Sequence, residues 1–203
     1  MPARWRSRKV YAGTPADLLV VGLGNPGKRF AGTRHNVGAD VVELLASQHG
    51  QTLHKTKQAA LVAEVLLDKR RLVLAFPQTY MNKSGESVRP LVRRWNMAEQ
   101  LERLVVIHDE LDLPAGKIKV KHGGGLAGHN GLSSIRDHLH SAGFTRIRIG
   151  VGKPPSAPAG ADYVLQRPGI AEQGLLQDAI RRSADAALAL LNESLEIVMN
   201  RFN

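Results

Sequence analysis

The residues best suited to chemistry follow the stretch 103–107, in which residues 104–107 form a short apolar run. The run is rich in β-branched residues and too short for a helix, so it predicts a buried strand. It leads directly into His108, Asp109 and Glu110, with Asp112 two positions further on. Ligands bind at the carboxyl ends of strands in α/β sheets, so these acids predict a site. A loop with four glycines in six residues follows at 123–128, where backbone can approach a ligand closely.

His35 is the main candidate for a general base. It stands just before a predicted helix, so the alternative is that His35 or Asn36 only caps that helix, since Asn caps well. Asp109 favours the catalytic interpretation, because a carboxylate bonded to imidazole fixes its tautomer and stabilises its protonated form. Together the two side chains would make a general base.

Other catalytic patterns fit less well. His108, His122 and His129 match no HExxH or comparable ligand spacing, so we predict no metal and no cofactor. The stretch 22–27, GLGNPG, has the glycine spacing of a dinucleotide fingerprint, but its proline falls before a helix can start. Ser84 and Ser133 lie in no GxSxG elbow, so a covalent mechanism is not expected.

Three asparagines occupy similar places in the chain. Asn25, Asn82 and Asn130 each lie in a glycine-containing loop beside a predicted strand end. An amide side chain offers both a donor and an acceptor without adding charge. Each residue alone could be a turn or cap residue, but three at equivalent places predict a shared pocket.

Two predicted strands carry basic residues. Lys117, Lys119 and Lys121 alternate along one, and residues 146–151 alternate two arginines with two isoleucines, which is typical of a half-exposed strand. A solvated face would explain either strand alone, whereas two basic faces beside a polar pocket suit phosphate contacts. Aromatic residues make up 4% of the chain, too few for a platform that stacks single-stranded bases.

The elements that must position these residues alternate between strands and helices. Residues 61–67 and 71–76 predict a hairpin, and a helix follows the loop 77–85, either kinked at Pro90 or starting later. Residues 172–202 predict one long helix or two shorter ones. The remaining predicted elements are strands at 18–23 and 146–151 and helices at 36–49 and 130–140. This order predicts an α/β fold: a single domain with a twisted mixed β-sheet and helices on both faces.

Composition limits the partners. The 203 residues carry a net charge of +10, which indicates a polyanion, with nucleic acid the first candidate and a membrane surface the second. Cysteine is absent, and no apolar run approaches the roughly 20 residues of a spanning helix. We expect residues 1–15 to form a disordered basic arm rather than a secretory signal or a specific RNA contact, and residues 16–203 to form a single catalytic α/β domain.

Several motifs together resemble one known family, the bacterial peptidyl-tRNA hydrolases. The stretches GLGNPG at 22–27 and TRHNVG at 33–38 resemble its opening signature, and TYMNKSG at 79–85 resembles its second motif. HDELDL at 108–113, with the glycines at 123–125 and GHNGL at 128–132, resembles the third. RIRIGVGKP at 146–154 and YVL at 163–165 match the C-terminal part.

The resemblance implies a monomeric cytoplasmic enzyme of translation, a carboxylic ester hydrolase without cofactor or metal. It would cleave the ester between peptide and the 3′-terminal ribose of tRNA, binding the acceptor arm and no membrane. By position, His35 is the base, Asp109 its supporting carboxylate, and Asn25 the residue that discriminates blocked from free aminoacyl groups. The implied substrate-binding residues are Phe30, Tyr80, Asn82, His129 and Asn130, and the implied clamp on the terminal tRNA phosphate is Lys119, Lys121 and Arg148.

Some points stay open at this stage. Phe30 stands where the family usually has tyrosine, so a hydroxyl contact is lost or unused. The donor to the developing oxyanion would be an asparagine amide near Asn82 or backbone N–H groups of the glycine loop. The alternative function is a non-catalytic RNA-binding protein on the same scaffold, against which the presence of His35, Asp109 and Asn25 argues.

Overall fold

One seven-stranded sheet forms the centre of the computed structural model, which describes residues 15–154, 156 and 159–203. The strand order is β2-β3-β4-β1-β5-β7-β6. The strands are β1 (Leu18–Gly22), β2 (His54–Lys55), β3 (Ala60–Leu67), β4 (Arg70–Pro77), β5 (Leu104–Glu110), β6 (Ile118–His122) and β7 (Thr145–Gly150). The predicted basic arm falls almost wholly on residues outside those described.

The middle of the sheet is parallel and its edges are antiparallel. Strands β4, β1, β5 and β7 run parallel, whereas β3 pairs antiparallel with β4, β2 with β3, and β6 with β7. All seven residues of β5 are buried, as expected of a parallel strand covered on both faces. The strand therefore continues through Asp109 and Glu110, beyond the predicted end at residue 107.

Helices cover both faces of this mixed sheet, which confirms the predicted fold class. The cores place α1, α5 and α6 against one face, and α2 and α3 against the other. The helices are α1 (Val37–Gln48), α2 (Ser84–Arg94), α3 (Asn130–Leu139), α4 (Gly160–Val164), α5 (Ile170–Asn192) and α6 (Leu195–Phe202). None of the helices in the described residues is long and apolar enough to cross a membrane.

Local chemistry explains where several elements begin and end. Asp68 and Lys69 have φ of 46° and 70°, the conformation that a two-residue hairpin turn requires between β3 and β4. Helix α2 starts at Ser84 and contains Pro90, so the alternative of a later start is wrong. The segment 172–202 forms two helices, and the hydroxyl of Ser194 caps the second.

Two glycines bring the first turn of α1 against the sheet. A Cβ on Gly22 would lie 2.0 Å from the carbonyl oxygen of Gly38, and one on Gly38 would lie 2.2 Å from that of Ile107. The Ala39 N–H donates to the Leu23 carbonyl at 3.0 Å. This close packing places the residues just before α1 at the carboxyl end of β5.

The prediction that β7 is half-exposed is wrong at Arg146. This side chain is 2% exposed, and its guanidinium donates hydrogen bonds to the carbonyls of Gly123, Gly124 and Gly125. The glycine loop folds back over β7, so its backbone approaches an arginine rather than an open ligand site. Arg146 is consequently a structural residue of the loop.

Candidate active site

A pocket of about 610 Å³ opens at the carboxyl ends of the parallel strands. The loops after β1, β4 and β5 form its walls, together with the start of α3 and helix α4. Eight residues predicted from the sequence line it together: Asn25, Phe30, His35, Tyr80, Asn82, Asp109, His129 and Asn130.

The predicted pair of His35 and Asp109 is in direct contact. His35 lies in a 3-10 turn just before α1, and its Nδ1 is 2.8 Å from Oδ1 of Asp109. The Asp109 side chain is 3% exposed and that of His35 is 12% exposed. A carboxylate can only accept, so Nδ1 carries the proton when the imidazole is neutral. The lone pair of Nε2 then remains for a ligand.

His129 donates to the same carboxylate oxygen. Its Nε2 lies 3.1 Å from Asp109 Oδ1, and its Nδ1 accepts hydrogen bonds from the backbone N–H groups of Gly131 and Leu132. Because Nδ1 accepts, Nε2 must be the protonated nitrogen. His129 therefore caps α3, directly before the predicted start of that helix at residue 130, and it holds Asp109 in place.

The electrostatics keep Asp109 ionised. Burial alone would raise the pKa of its carboxyl, but the imidazoles of His129 and His35 lower that pKa well below the usual range through charge and hydrogen bonds. His108, on the same strand, donates from Nδ1 to the Asp109 carbonyl at 2.6 Å. Burial, with a smaller contribution from His129, lowers the pKa of His108 to about 3, so this ring is neutral.

His35, Asp109 and His129 also form the one His and acid group in the described residues whose ligand atoms, all within 4.8 Å, could hold a metal ion. A metal needs the lone pairs of deprotonated nitrogens. Here the nitrogens that face Asp109 carry protons in hydrogen bonds to it, and the other nitrogen of His129 accepts from backbone. The arrangement fits a hydrogen-bonded base better than a metal site.

The Asn25 amide is fixed by its neighbours. Its Oδ1 accepts from the Met81 N–H at 2.8 Å, and its backbone N–H and carbonyl are both bonded to the side chain of Asn36 at 2.9 Å. Asn36 stands at the N-cap position of α1, as one alternative from the sequence predicted, but its side chain makes no capping bond and instead anchors the turn after β1. The Nδ2 group of Asn25 has no acceptor among the residues described, so it is available to a ligand.

The other predicted substrate-binding residues stand at the rim. Asn82 and Asn130 are exposed, and Tyr80 is 54% exposed. The ring of Phe30 meets Tyr80 edge to face, with centroids 6.5 Å apart. The glycines at 123–125 do not line the pocket, whereas Gly128 does. This leaves asparagine amides as the better candidates for an oxyanion donor.

The predicted phosphate residues lie beside the pocket on β6 and β7. Lys119 is directly opposite Arg148 in the strand register, and Lys121 is opposite Arg146. The Nε of Arg148 donates to Oε2 of Glu110 at 2.9 Å, and Glu110 also lines the pocket. Lys119, Lys121 and Arg148 therefore form a basic patch that adjoins the pocket without lining it.

Sequence reasoning missed the role of Arg34. Its side chain is 7% exposed, and it donates to the carbonyls of Tyr163, Gln166 and Arg167 and pairs with Glu172. The guanidinium also stacks on the Tyr163 ring at 4.1 Å. The only signal in the sequence was its position immediately before His35.

Fold and site together define a three-layer α/β protein in which a histidine that faces the pocket is bonded to a buried aspartate at the carboxyl edge of the sheet. Comparison with known families identifies it further. The sequence profile of the peptidyl-tRNA hydrolases, described as "Peptidyl-tRNA hydrolase", matches residues 19–203. The chain belongs to that family, which confirms the resemblance drawn from its motifs.

Individual relatives support this assignment. Proteins named peptidyl-tRNA hydrolase from Moorella thermoacetica and Chloroflexus aggregans are 45% and 43% identical to it. The Moorella alignment covers 92% of this chain and 97% of the relative, and the Chloroflexus alignment covers 91% and 98%. The crystal structure of peptidyl-tRNA hydrolase from Acinetobacter baumannii superposes with a TM-score of 0.87 at 37% identity, over 94% of this chain and 97% of that one.

Proposed function

We propose that this protein hydrolyses the ester bond between peptide and tRNA in peptidyl-tRNA, releasing free tRNA and peptide. Membership of the family supports an ester hydrolase. The observation that carries the mechanism is the 2.8 Å hydrogen bond from His35 Nδ1 to buried Asp109, because it leaves Nε2 of His35 as an acceptor in the pocket.

In the proposed reaction, water attacks the carbonyl carbon of the ester while Nε2 of His35 takes its proton. Asp109 stabilises the resulting imidazolium, as the carboxylate of a catalytic triad does. The tetrahedral intermediate then collapses, and the imidazolium returns the proton to the departing ribose 3′ oxygen. The products are tRNA with a free 3′ hydroxyl and a peptide carboxylic acid, which releases its proton to solvent at neutral pH. No metal takes part in this scheme.

Asparagine amides give the pocket its selectivity in this proposal. The free Nδ2 group of Asn25 donates to a peptide carbonyl that an unblocked aminoacyl group lacks. Asn82 donates to the oxyanion, and Asn130 binds the substrate at the opposite rim. Tyr80 and Phe30 supply aromatic contact with the substrate, and Phe30 does so without a hydroxyl group.

The tRNA is held outside the pocket. Lys119, Lys121 and Arg148 bind the terminal phosphate of the acceptor arm, since this basic patch adjoins the pocket through Glu110. In this proposal the protein acts as a monomer, with a single catalytic domain over residues 16–203. We place this activity in the cytoplasm, where translation supplies the substrate.

A protein that only binds RNA would not need the buried pair of His35 and Asp109. Turnover separates the two functions: the purified protein is incubated with N-acetyl-aminoacyl-tRNA and, in parallel, with the unblocked aminoacyl-tRNA. We expect repeated release of the blocked amino acid, little release of the free one, and no effect of a zinc chelator. Binding of tRNA without release would support the RNA-binding alternative. Loss of activity with the chelator and its return on adding metal would contradict the metal-free mechanism.

A further inference from the structure

Arg34 joins two parts of the chain that are far apart in sequence. On one side it is the residue before His35, in the same 3-10 turn. On the other side its guanidinium holds the carbonyls of Tyr163, Gln166 and Arg167, at the end of α4 and just beyond it. Its backbone N–H also donates to the Gln166 carbonyl at 3.1 Å.

The partners of Arg34 are themselves fixed. Glu172, which pairs with Arg34, also accepts from the backbone N–H of Gly169 and so caps α5. The Tyr163 hydroxyl donates to the Val151 carbonyl just after β7 at 2.7 Å, and the Arg34 guanidinium stacks on the Tyr163 ring. Arg34 is thus the centre of a network that joins the end of β7, α4 and the start of α5.

The partners of Arg34 are neighbours in the chain of residues that line the pocket. Helix α4 and the residue after it supply four residues of the pocket wall: Gly160, Ala161, Val164 and Leu165. His35 lies on the other side of Arg34 and faces the same space. Any movement of the Arg34 side chain therefore changes the distance between the base and the wall that faces it.

We propose that Arg34 is a positioning residue for the reaction, holding His35 and the α4 wall in one fixed arrangement. This inference rests on the proposed function. Arginine suits this place because one nitrogen of its planar fork, Nη1, faces the three carbonyls while another, Nη2, faces Glu172, whereas lysine has a single nitrogen. Burial would raise the pKa of Glu172, but the Gly169 N–H and Arg34 lower it, so the pair is ionised.

The test compares three variants. Arg34→Lys keeps the charge but replaces the fork of several nitrogens with a single nitrogen, and Glu172→Gln removes only the ion pair. Arg146→Lys is the matched control, because Arg146 is equally buried and also donates to three carbonyls, but these belong to the glycine loop. Unfolding in urea gives the folded fraction of each variant, to which all rates are normalised.

Two readouts decide. The first is steady-state hydrolysis of N-acetyl-aminoacyl-tRNA, in which we expect kcat of Arg34→Lys to fall roughly 10²-fold with little change in KM. The second is the NMR signal of the His35 Nδ1 proton bonded to Asp109. We expect Arg34→Lys to lose this signal through faster exchange, Glu172→Gln to weaken it, and Arg146→Lys to keep both the signal and kcat.

If Arg34→Lys keeps both the His35 Nδ1 proton signal and the kcat of the parent, the proposal is wrong. A variant whose KM rises while its kcat stays unchanged would also overturn it. If Arg34→Lys does not fold, Glu172→Gln decides by the same two readouts. The NMR signal does not depend on turnover. A protein inactive on peptidyl-tRNA would therefore refute the proposed function while the positioning test still gives its own answer.

Discussion

At the scale of single residues, one carboxylate oxygen accepts from two imidazoles. Asp109 Oδ1 lies 2.8 Å from His35 Nδ1 and 3.1 Å from His129 Nε2. Since the α3 backbone fixes the tautomer of His129, that ring holds Asp109 steady while Asp109 orients His35. The roles of the two histidines therefore differ although both contact the same atom.

Replacing Asp109 with asparagine tests the charge of this side chain without changing its shape. Asp109→Asn keeps the volume but removes the negative charge that stabilises the imidazolium, so we expect kcat to fall roughly 10³-fold with the fold intact. Asp112→Asn is the control, because that carboxylate lies at the pocket edge but is 64% exposed, and among the described residues its one ion pair is with Lys153 at 3.8 Å. Equal kcat values for the two variants on N-acetyl-aminoacyl-tRNA would contradict the role of Asp109.

Two acid–base groups, buried His108 and half-buried Asp40, should give the folded protein opposite pH dependences. The pKa of His108 falls from 6.5 to about 3, mainly through burial. Between these values the unfolded chain binds a proton that the folded protein does not. His108 therefore costs stability as the pH falls, by up to about 1.4 kcal/mol per pH unit. Burial, with Glu43 nearby, raises the pKa of Asp40 from 3.8 to about 7, so Asp40 costs stability as the pH rises through that range.

Urea unfolding of the parent, His108→Asn and Asp40→Asn between about pH 4 and pH 6.5 checks these signs. Relative to the parent, the stability of His108→Asn should improve towards low pH and that of Asp40→Asn towards high pH. His122→Asn, which changes an exposed histidine, should follow the parent curve. Parallel curves for all four proteins would contradict both assignments.

At the scale of elements, the position of His35 depends on how closely α1 packs on the sheet. Gly38→Ala would place a Cβ 2.2 Å from the Ile107 carbonyl oxygen, so backbone must move. We expect a loss of about 3 kcal/mol or more in the free energy of unfolding. Gly174→Ala on α5, where a Cβ meets nothing within 4 Å, should instead stabilise by about 0.5–1 kcal/mol. A Gly38→Ala protein as stable as its parent would show that α1 can shift without cost.

The paired strands β6 and β7 should bind phosphate without taking part in bond breaking. Replacing Lys119 and Lys121 together with Ala should raise KM for peptidyl-tRNA and leave kcat nearly unchanged, because uniform binding is lost. The slope of log K against log salt should drop by roughly 0.7–0.9 per contact. A short ester without the terminal phosphate should be cleaved as by the parent.

The control for the clamp removes the same charge elsewhere. Lys55 and Lys57 are exposed at the opposite edge of the sheet, in and just after β2, so their joint replacement by Ala tests the effect of net charge alone. If both double variants raise KM equally, the effect is general electrostatics and the clamp assignment fails.

The sequence predicted those features that leave a pattern in side chains. Alternation and helical spacing located the sheet and its helices, and polar residues at strand ends located the pocket around His35 and Asp109. It did not predict the partners of Arg34 or Arg146, because these are mainly backbone carbonyls, up to 133 positions away for Arg34. Every residue has a backbone carbonyl, so such partners leave no pattern in the sequence. Arg146, which alternates with apolar residues, was therefore predicted to be exposed although it is buried.

At the scale of the whole molecule, the net charge of +10 and the polar pocket have separate tasks in our account. The basic strands lie beside the pocket, and Glu110 links the two by lining the pocket and binding Arg148. Binding of the polyanion and cleavage of the ester can therefore be changed independently by mutation. This separation lets one measurement address the chemistry alone.

That measurement is the kcat of His35→Ala on saturating N-acetyl-aminoacyl-tRNA, with folded fraction and tRNA affinity measured on the same preparation. The account predicts that kcat falls roughly 10²-fold to 10⁴-fold, because the general base is gone. Stability should fall by about 1–3 kcal/mol, because buried Asp109 loses one hydrogen bond and keeps that from His129, and tRNA affinity should stay near that of the parent. Turnover near the parent rate would contradict the central claim that His35 takes the proton from water.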